Sequence, residues 1–434
     1  MNTLLVGDNH TYLNWGARGG SLALHQLLAK IFKINEIVYG RDFIFLNDKV
    51  GFVNTILPYN VIYFLQVKKK IGAFQTILKV EKLLGARDWL NEDPEISCDN
   101  LFRYKNKNPG LGELFRKINN VDLIIINGEG DLVFSNPPTR EVLYILAIMA
   151  IAIRLKKKII LLNSMLSDSP LDGKGRSTVE RMYSYLKQCD AIMVRDYVSY
   201  NFIRDNMPDI GCKVFPDSLF YWYPKFKHER TLLPADGDSI IPVTEDIELF
   251  GKYDFNKPYI CIAGTSLAKP LGGENLVPYF VKLVERIKKT GLRIYLVQAA
   301  PTDDFLNTVA EKTGLSTIPV TTQVILAGAI LANAKVLISG RFHPAIFSSL
   351  GGTPTVCLAA NSHKMASIQE TLEYETIREF SAMPSDGDIE EIGKMVDNFI
   401  EQGVEIRNKI KSTARKRYYE VSELPLYLKD KLQI

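Results

Sequence analysis

A chain of 434 residues is longer than one hydrophobic core usually organises, so we expect two domains. Hydrophobic residues make up 46% and charged residues 24% of the chain, a composition that is typical of globular proteins and excludes a disordered chain. The formal net charge of +4 suits a small anionic substrate and is too low to indicate a nucleic-acid-binding protein.

The cysteines and the apolar runs indicate a cytoplasmic protein. The five cysteines form no C-x-x-C pair, and we interpret all of them as reduced, structural residues. Met1 to Val6 has the pattern of a strand and lacks the basic and apolar regions of a secretory signal. The longest apolar run, Val142 to Ile153, is shorter than the roughly 20 residues that cross a membrane. Peripheral attachment to the inner membrane face through surface lysines is the alternative interpretation.

The N-terminal segment has the pattern of a strand, a glycine-bearing turn and a helix. Asn2 to Val6 is predicted as the strand and Ser21 to Leu28 as the helix. Asn14, Gly16 and Arg18 lie in the turn, whose free N–H groups at a helix N-terminus favour an anion. A tight turn without a ligand explains the glycines equally well.

Residues 35–120 have less regular patterns. A second strand is predicted at 37–40, and helical or mixed periodicity at 56–64 and 71–84. Residues 91–112 are rich in Asn, Pro and charge, so we predict an exposed loop that lies near an acceptor.

Two carboxylates follow a strongly apolar strand in the first half. Leu123 to Ile126 predicts a buried parallel strand, and Gly128 and Gly130 allow the backbone to turn sharply behind it. Glu129 and Asp131 then lie at the carboxyl end of the strand, where either could be a general base. The alternative is that they cap the segment that follows.

Arg195 follows a buried strand in the same way. The strand is predicted at 190–194, and Asp196 and Ser199 suit the N-terminus of the helix behind it. Arg195 would then face the crevice at the sheet edge, and a plain helix cap with a surface arginine is the alternative. The other predicted elements of this half are helices at 142–154 and 177–188, a strand at 159–163, a loop at 165–175 and a strand with a polar tip at 214–218.

The second half repeats this α/β architecture without a detectable sequence repeat. Residues 224–257 have Pro, Gly and mixed charge with little periodicity, and we interpret them as the interdomain linker. The predicted domains are therefore 1–223 and 258–434, each with a parallel sheet. The predicted elements of the second domain are strands at 259–263, 292–298, 334–338 and 353–358, and helices at 276–289, 305–312, 324–332, 346–350 and 389–410, the last of which is expected to return to the first domain.

Arg341 and His343 form the strongest site candidate. They follow a buried strand that ends in Ser339 and Gly340, and an apolar helix pattern begins behind them. Arginine binds phosphate or carboxylate with two parallel donors, and histidine can give and take a proton near neutral pH. Ligands of parallel sheets bind off the carboxyl ends of the strands, where both residues are predicted to lie. The alternative is an arginine at a helix terminus and an interior histidine.

These motifs resemble, in the same order, those of the polysaccharide pyruvyl transferase family, over roughly residues 4 to 370. That family is similar in fold to the GT-B glycosyltransferases, so the resemblance implies an α/β protein in which two Rossmann-like domains face a central cleft. Members are associated with moving a pyruvyl group from phosphoenolpyruvate onto two hydroxyls of a sugar as a cyclic ketal. The matching segments are Gly7-Asp8-Asn9 with Asn14 and Gly16, Asn127-Gly128-Glu129-Gly130, Val194-Arg195-Asp196 with Ser199, Phe215-Pro216-Asp217, and Ile338-Ser339-Gly340-Arg341-Phe342-His343 with Gly352 and Pro354.

The resemblance implies a role for each candidate in bacterial surface-polysaccharide synthesis, of the exopolysaccharide or capsule type. Arg341 and Arg195 would hold the phosphate and carboxylate of the donor, and His343 would protonate its methylene carbon or act as a base. An oligosaccharide or lipid-linked sugar is the expected acceptor, and no cofactor or metal is predicted because the histidines are scattered. The remaining predicted site residues are Glu129 and Asp131 for catalysis, Ser339, Gly340, Pro344, Ser348, Ser349 and Lys364 for the donor, and Asn14, Gly16, Arg18 and Gly128 for the acceptor.

Two departures from the family pattern keep a second function open. Glu129 stands where the family commonly has a glycine. Pro344 behind the histidine, with Ser348 and Ser349 close by, resembles the donor site of bacterial transferases that use CMP-activated sugars such as sialic acid or Kdo. A glycosyltransferase with a nucleotide-sugar donor is therefore the alternative, and a non-catalytic sugar- or anion-binding protein of the same fold is a third hypothesis.

Overall fold

The computed structural model describes residues 1–40, 49–50, 87–170, 173–226 and 253–434, which form two compact α/β units. The first unit consists of Met1–Asn9, Leu28–Val214 and Leu428–Ile434, and the second of His10–Leu27 and Phe215–Tyr427. The chain therefore passes from the first unit into the second and back before residue 30, because its first helix has its contacts in the second unit.

These units differ from the predicted domains 1–223 and 258–434 in three places, one of which is the segment Leu428–Ile434 of the first unit. Residues 10–27 and 215–223 belong to the second unit, although they precede the predicted linker. A boundary predicted from composition follows the order of the chain, whereas compactness depends on which elements pack together. Most of the predicted linker, and the predicted elements at 56–64 and 71–84, lie outside the described residues.

The first unit is built on a six-stranded parallel sheet in the order β11-β10-β7-β5-β1-β2. Its central strand β5 is buried along its whole length, as its run of Leu and Ile predicts. The helix Arg140–Arg154 contributes ten buried residues to the same core. The strands of this unit are β1 Asn2–Asp8, β2 Lys33–Tyr39, β3 Lys49–Val50, β4 Arg87–Asp88, β5 Leu123–Asn127, β6 Leu132–Asn136, β7 Lys158–Ser164, β8 Leu166–Asp168, β9 Gly173–Lys174, β10 Ala191–Val194 and β11 Lys213–Val214.

The second unit has its own six-stranded parallel sheet, in the order β14-β13-β12-β15-β16-β17. Its central strands β12 and β15 are entirely buried, with Ile260 opposite Val336 and Ile262 opposite Ile338. Each sheet has a core of its own, so each unit can position residues at its sheet edge independently. The strands are β12 Tyr259–Thr265, β13 Arg293–Val297, β14 Ser316–Ile318, β15 Val336–Gly340, β16 Thr355–Leu358 and β17 Glu379–Phe380.

Helices alternate with these strands in both units, as parallel sheets require. The described residues also include short 3-10 helices at Ser218–Trp222 and Pro301–Asp303. The α-helices in chain order are α1 Trp15–Leu28, α2 Pro94–Tyr104, α3 Pro109–Asn119, α4 Arg140–Arg154, α5 Arg176–Leu186, α6 Tyr197–Asn206, α7 Tyr223–Phe226, α8 Ala268–Leu271, α9 Gly273–Lys288, α10 Phe305–Thr313, α11 Val324–Asn333, α12 Phe342–Leu350, α13 Lys364–Thr371, α14 Asp386–Gln402, α15 Val404–Ser422 and α16 Leu424–Leu432.

The predicted loop at 91–112 is wrong, because this segment forms α2 and the first turn of α3. Asp93 accepts a hydrogen bond from the N–H of Glu95 at 3.0 Å, and Asn108 caps α3 in the same way. A polar cap followed by proline at the first helical position is a helix-start signal, and it was hidden here by the polar composition.

The predicted helix at 389–410 is also wrong as a single element. Gly403, with a φ of 54°, ends α14 and begins α15, and both helices belong to the second unit. The residues that return to the first unit are Leu428–Ile434. Within the described part of the chain, no helix combines the length and the apolarity needed to cross a membrane.

Candidate functional site

The second sheet changes direction between β12 and β15, where parallel sheets bind their ligands. β12 ends at Thr265 and β15 at Gly340, and these two residues are register partners. Arg341 and His343 follow β15 directly. The structure thus locates both residues at the carboxyl edge of the second sheet, beside the change of direction.

Arg341 forms a two-pronged ion pair with Asp303. Its Nε and Nη2 atoms donate to the two carboxylate oxygens, each at 2.7 Å, and Nη2 also donates to Thr302 Oγ1 at 2.6 Å. Asp303 is completely buried and accepts two further hydrogen bonds from the backbone N–H groups of Ala299 and Ala300. Burial raises the pKa of the Asp303 carboxyl group, and the Arg341 guanidinium opposes that rise.

This pair fixes the guanidinium and leaves one of its edges uncommitted. Among the described residues, the Nη1 atom of Arg341 has no hydrogen-bond partner, and the side chain is 10% exposed. Gly264 makes room for the pair, because a Cβ at that position would lie 1.8 Å from Asp303 Oδ1. The chemistry available here is recognition of an anion by the free edge of an oriented guanidinium.

His343 lies between helix α1 and the start of the first 3-10 helix. Its Nε2 is 3.5 Å from Oδ2 of Asp217, whose side chain is fully buried. A Cβ at Gly16 would lie 2.2 Å from the Cβ of His343, so the helix approaches this closely only through glycine. A Cβ at Gly20 would have His343 Nε2 as its nearest neighbouring atom, at 3.6 Å. The imidazole thus packs against α1 on one side and lies beside a carboxylate on another.

A polar group beyond the β12 and β16 ends completes this edge. Ser266 donates from Oγ to Asn361 Oδ1 at 3.0 Å and accepts from the Asn361 N–H at 3.1 Å. Lys364, at the start of α13, also donates to Asn361 Oδ1. The predicted donor residue Lys364 therefore lies on the same sheet edge as Arg341, with Ser266 and Asn361 as neighbours that the prediction did not include.

The other predicted donor residues occupy packing positions. Ser339 accepts the N–H of Arg341 at its hydroxyl, at 3.0 Å, and Pro344 lies in the first turn of α12. Ser348 and Ser349 are completely buried, and their hydroxyls donate to carbonyl oxygens of the preceding turn at 2.8 and 2.7 Å. The prediction that these two serines bind the donor has no support from their positions, since neither hydroxyl reaches the surface.

Three predicted acceptor residues lie on α1 and so belong to the second unit. Asn14 caps the helix, accepting the N–H groups of Gly16 and Ala17 at 3.0 and 3.2 Å. The N–H groups that were expected to attract an anion are therefore partly satisfied by this side chain. Burial lowers the pKa of Arg18, and its buried Nε has no hydrogen-bond partner within the described residues.

In the first unit, a chain of amides occupies the carboxyl edge where the strand order changes between β5 and β1. Asn127 donates from Nδ2 to the carbonyl oxygen of Gly7 at 3.0 Å and to Glu129 Oε1 at 3.3 Å. Asn163 donates to Asn127 Oδ1 at 3.1 Å. Gly7 has a φ of 82°, and a Cβ there would lie 2.4 Å from the Asn127 carbonyl oxygen. This network holds the Glu129 carboxylate in place.

Glu129 has an unusual backbone conformation. Its φ is 37°, and it is 6% exposed, while its carbonyl oxygen accepts the Met165 N–H at 2.7 Å. Asp131 closes the turn by donating its N–H to the carbonyl oxygen of Gly128 at 2.9 Å. A left-handed φ is strained for any residue with a side chain, and such strain is concentrated at functional sites.

Arg195 lies close to this turn. It is 3% exposed, its Nη2 is 3.9 Å from Met165 Sδ, and a Cβ at Gly130 would be 3.6 Å from the same Nη2. Asp196 caps α6 by accepting the Ser199 N–H at 2.7 Å, as its spacing predicts. The first unit thus brings Gly128, Glu129, Asp131 and Arg195 to one edge of its sheet.

Two acidic residues of the second unit were missed from the sequence. Asp217 was part of the Phe215-Pro216-Asp217 motif, but no role was predicted for it. Asp303 follows the end of β13 by six residues, where Pro301 begins a short turn. An acid shortly after a buried strand was the signal that selected Glu129, so it could have selected Asp303 as well. What the sequence did not indicate is which basic residue each acid meets.

The protein has two Rossmann-like units, and each unit presents charged side chains at the carboxyl edge of a parallel sheet. This architecture defines the GT-B class of α/β proteins. Solved structures share this fold. They include UDP-GlcNAc 2-epimerase from Neisseria meningitidis bound to UDP-GlcNAc, with 11% identity, 100% of both chains covered and a TM-score of 0.51. A glycosyltransferase from Rickettsia africae has 14% identity, covers 99% of this chain and 98% of its own, and gives a TM-score of 0.53.

A further match is UDP-GlcNAc 2-epimerase from Methanocaldococcus jannaschii in complex with UDP-GlcNAc and UDP, with 12% identity, 96% and 100% coverage and a TM-score of 0.51. At these identities the likeness concerns the fold alone. The predicted fold class is confirmed by it.

The family follows from sequence. Residues 22–362 match the polysaccharide pyruvyl transferase family, which is more than half of the chain. The protein belongs to the polysaccharide pyruvyl transferase family, as the motifs indicated, and is by class a transferase. No curated protein matches the chain in sequence.

Proposed function

We propose that this protein transfers a pyruvyl group from phosphoenolpyruvate to two hydroxyls of a sugar, forming a cyclic ketal. The observation that carries the proposal is the position of Arg341 and His343 at the change of direction of the second sheet, in a chain that matches the family over residues 22–362. An enol phosphate needs an acid at its methylene carbon and a cation at its phosphate, and these two side chains are of the required kinds.

The proposed reaction uses no oxidant or reductant. The methylene carbon C3 of the donor takes a proton from His343 and becomes a methyl group, which leaves an oxocarbenium-like centre at C2. One C2–O bond to phosphate breaks, and two C2–O bonds to sugar oxygens form. One hydroxyl proton returns to His343, and the other leaves with inorganic phosphate, passed on by the candidate base Glu129 or Asp131.

Arg341 is proposed to hold the donor phosphate by the Nη1 edge that Asp303 leaves uncommitted. The two-pronged pair with Asp303 fixes the plane of the guanidinium, so the free edge is oriented before the donor binds. Lys364 and Ser266 lie on the same sheet edge and supply a further cation and a hydroxyl. Arg195 is proposed as the cation for the donor carboxylate, and Arg18 and Gly128 remain the candidates on the acceptor side.

A nucleotide-sugar glycosyltransferase is the second candidate function. It is favoured by Pro344 directly behind His343 and by the fold shared with a structure that holds UDP-GlcNAc. The burial of Ser348 and Ser349 removes one of the features on which a CMP-linked donor was predicted. For either function we propose a lipid-linked or oligosaccharide acceptor of bacterial surface-polysaccharide synthesis, met in the cytoplasm.

Donor binding separates the two functions. Isothermal titration of the purified chain with phosphoenolpyruvate, CMP and UDP should show binding of phosphoenolpyruvate alone. Arg341→Lys should weaken phosphoenolpyruvate binding by at least tenfold, because a lysine ammonium cannot reproduce the parallel N–H donors of a guanidinium. Lys335→Gln, at an exposed position near the start of β15, is the matched control and should leave affinity unchanged. Binding of CMP or UDP without phosphoenolpyruvate would instead support the glycosyltransferase.

Catalysis by His343 is tested separately from binding. His343→Gln should keep donor affinity within about threefold and lower turnover by at least a hundredfold, since general acid catalysis contributes about 10² to 10⁴ in rate. Near-normal turnover of a folded His343→Gln protein would remove His343 from the mechanism.

A further inference from the structure

The Asp217 carboxylate faces His343 from a fully buried position. Its Oδ2 lies 3.5 Å from His343 Nε2, and the exposed fractions of the two side chains are 0% and 13%. A carboxylate at this distance from an imidazole, shielded from water, favours the imidazolium over the neutral ring.

The Asp217 side chain is fixed from its other end. Its Oδ1 accepts the N–H of Leu219 at 2.9 Å and so caps the 3-10 helix Ser218–Trp222. Ser218 donates from Oγ to the carbonyl oxygen of Gly20 at 2.8 Å, which ties the start of the same 3-10 helix to α1. Reorienting the carboxylate would therefore break a cap, so its approach to His343 is built into the local fold.

The other nitrogen of the imidazole faces α1. A Cβ at Gly16 would lie 2.4 Å from His343 Nδ1, so α1 packs this closely against the nitrogen only because residue 16 has no side chain. Within the second unit, the groups that contact the imidazole include the Asp217 carboxylate, the α1 backbone at Gly16 and Gly20, and the Phe342 ring at 5.3 Å. Asp217 is the charged group among them.

We propose that Asp217 is a positioning residue whose carboxylate favours a proton on Nε2 of His343 and so sets the tautomer and the charge of the imidazole that acts as the acid. The role parallels a carboxylate that orients a catalytic imidazole without touching the substrate. It rests on the proposed function in that His343 must be an acid, but the state of the imidazole can be measured without any turnover.

The negative charge of Asp217 sets the direction in which the pH dependence of activity should change. His343 acts as an acid only while protonated, so activity falls as the pH rises through the point where the imidazolium loses its proton. Removing the Asp217 charge destabilises the imidazolium and moves that point to lower pH. Asp217→Asn is a suitable change, because the amide oxygen can still cap Leu219 while the charge is gone.

The direct test is NMR of the full chain labelled with ¹⁵N-histidine. The chain has five histidines, so His343→Gln assigns the signal. In the wild type we expect the neutral ring to carry its proton on Nε2, and in Asp217→Asn we expect the midpoint of the His343 titration to fall by about one pH unit. A wild-type proton on Nδ1, or an unchanged midpoint, overturns the proposal. The tautomer measurement needs no variant, so it decides even where Asp217→Asn does not fold.

The kinetic test is the pH profile of kcat. We expect the alkaline limb of Asp217→Asn to move down by about one unit, with KM for the donor changed less than twofold. Asp93→Asn removes the same charge from the cap of α2 in the first unit and should leave the profile in place. A parallel loss of kcat at all pH values would assign Asp217 a structural role and overturn the proposal. If NMR shows the coupling and phosphoenolpyruvate is not a substrate, the proposed function fails and the positioning of His343 stands.

Discussion

At the scale of single residues, Arg341, Glu129 and His343, which carry the proposed chemistry, each have a second polar residue beside them. Arg341 donates to Asp303, Glu129 accepts from Asn127, and His343 lies 3.5 Å from the Asp217 carboxylate. A preorganised group loses little entropy when it acts, so such partners matter for function as well as for stability. Variants of these partner residues should therefore separate the effect on function from the effect on stability.

Asp303→Asn should destabilise the protein by about 3–5 kcal/mol, because it leaves the buried Arg341 guanidinium without its counter-charge. Donor affinity should fall as well, because the guanidinium loses its fixed plane. Urea unfolding and titration with phosphoenolpyruvate measure the two effects. Thr302→Val removes one of the two hydrogen bonds that Arg341 Nη2 donates and should cost only about 1 kcal/mol. Equal losses in both variants would show that the charge pair is not what matters.

Glu129 offers a test of functional strain. With its φ of 37°, replacement by glycine should stabilise the fold by about 1 kcal/mol, because the left-handed conformation no longer costs energy. Glu129→Gln keeps the strain and serves as the control. Turnover should fall in both variants if the carboxylate is the base. Full activity of Glu129→Gly, measured beside its unfolding free energy, would restrict Glu129 to the capping role that was the alternative.

At the scale of elements, α1 is the element whose role differs most from its prediction. The sequence indicated a strand, a turn and a helix, and the helix begins six residues earlier than predicted, at Trp15. Its glycines pack against His343 and against Phe347, whose ring would be 2.7 Å from a Cβ at Gly19. The helix therefore shapes the surroundings of the candidate acid, although it belongs to the N-terminal part of the sequence.

Alanine substitutions in α1 should have opposite effects at two glycines. Gly16→Ala is expected to cost about 1–3 kcal/mol through its overlap with His343 and to lower turnover. Gly20→Ala meets nothing closer than 3.6 Å and should gain up to about 1 kcal/mol of helix propensity. Urea unfolding of both variants measures the difference. Stabilisation by both substitutions would mean that α1 does not approach His343 this closely in solution.

The elements predicted well from sequence were those with strong local patterns. The buried strands at 123–127 and 336–340 and the helix at 305–313 follow their apolar runs closely. The segment at 91–112 failed because its helix caps were outweighed by polar composition, and 389–410 failed because Gly403 lies in a helical pattern that continues on both sides. Local caps and breaks are decided by one or two residues, so average patterns do not show them.

At the scale of the whole molecule, each unit has a separate core beneath its own sheet, and the cysteines are distributed through these cores. Burial raises the pKa of Cys98 to about 11 and that of Cys189 to about 12, and it also raises the pKa of Cys212, Cys261 and Cys357. All five thiols therefore stay protonated at neutral pH, and a protonated thiol is a poor nucleophile.

A thiol reagent should accordingly react slowly with the native protein at pH 8 and quickly with all five cysteines in denaturant. The partly exposed Cys189 and Cys212 should react first. Absorbance on reaction with an aromatic disulfide measures both rates, and raising the pH should accelerate the native reaction as the thiolate fraction grows. Rapid reaction of several thiols in the native protein would contradict the burial of Cys98, Cys261 and Cys357.

The sequence by itself determined the class of fold, the family and the residue types at the strand ends, because buried parallel strands and the short motifs behind them are encoded locally. Only the tertiary structure decided that Asp303 pairs with Arg341, that Asp217 faces His343, and that α1 belongs with the second sheet. Asp303 is 38 residues from its partner and Gly16 is more than 300 from His343. Contacts at such separations depend on how whole elements pack, and no local pattern of a single sequence contains that information.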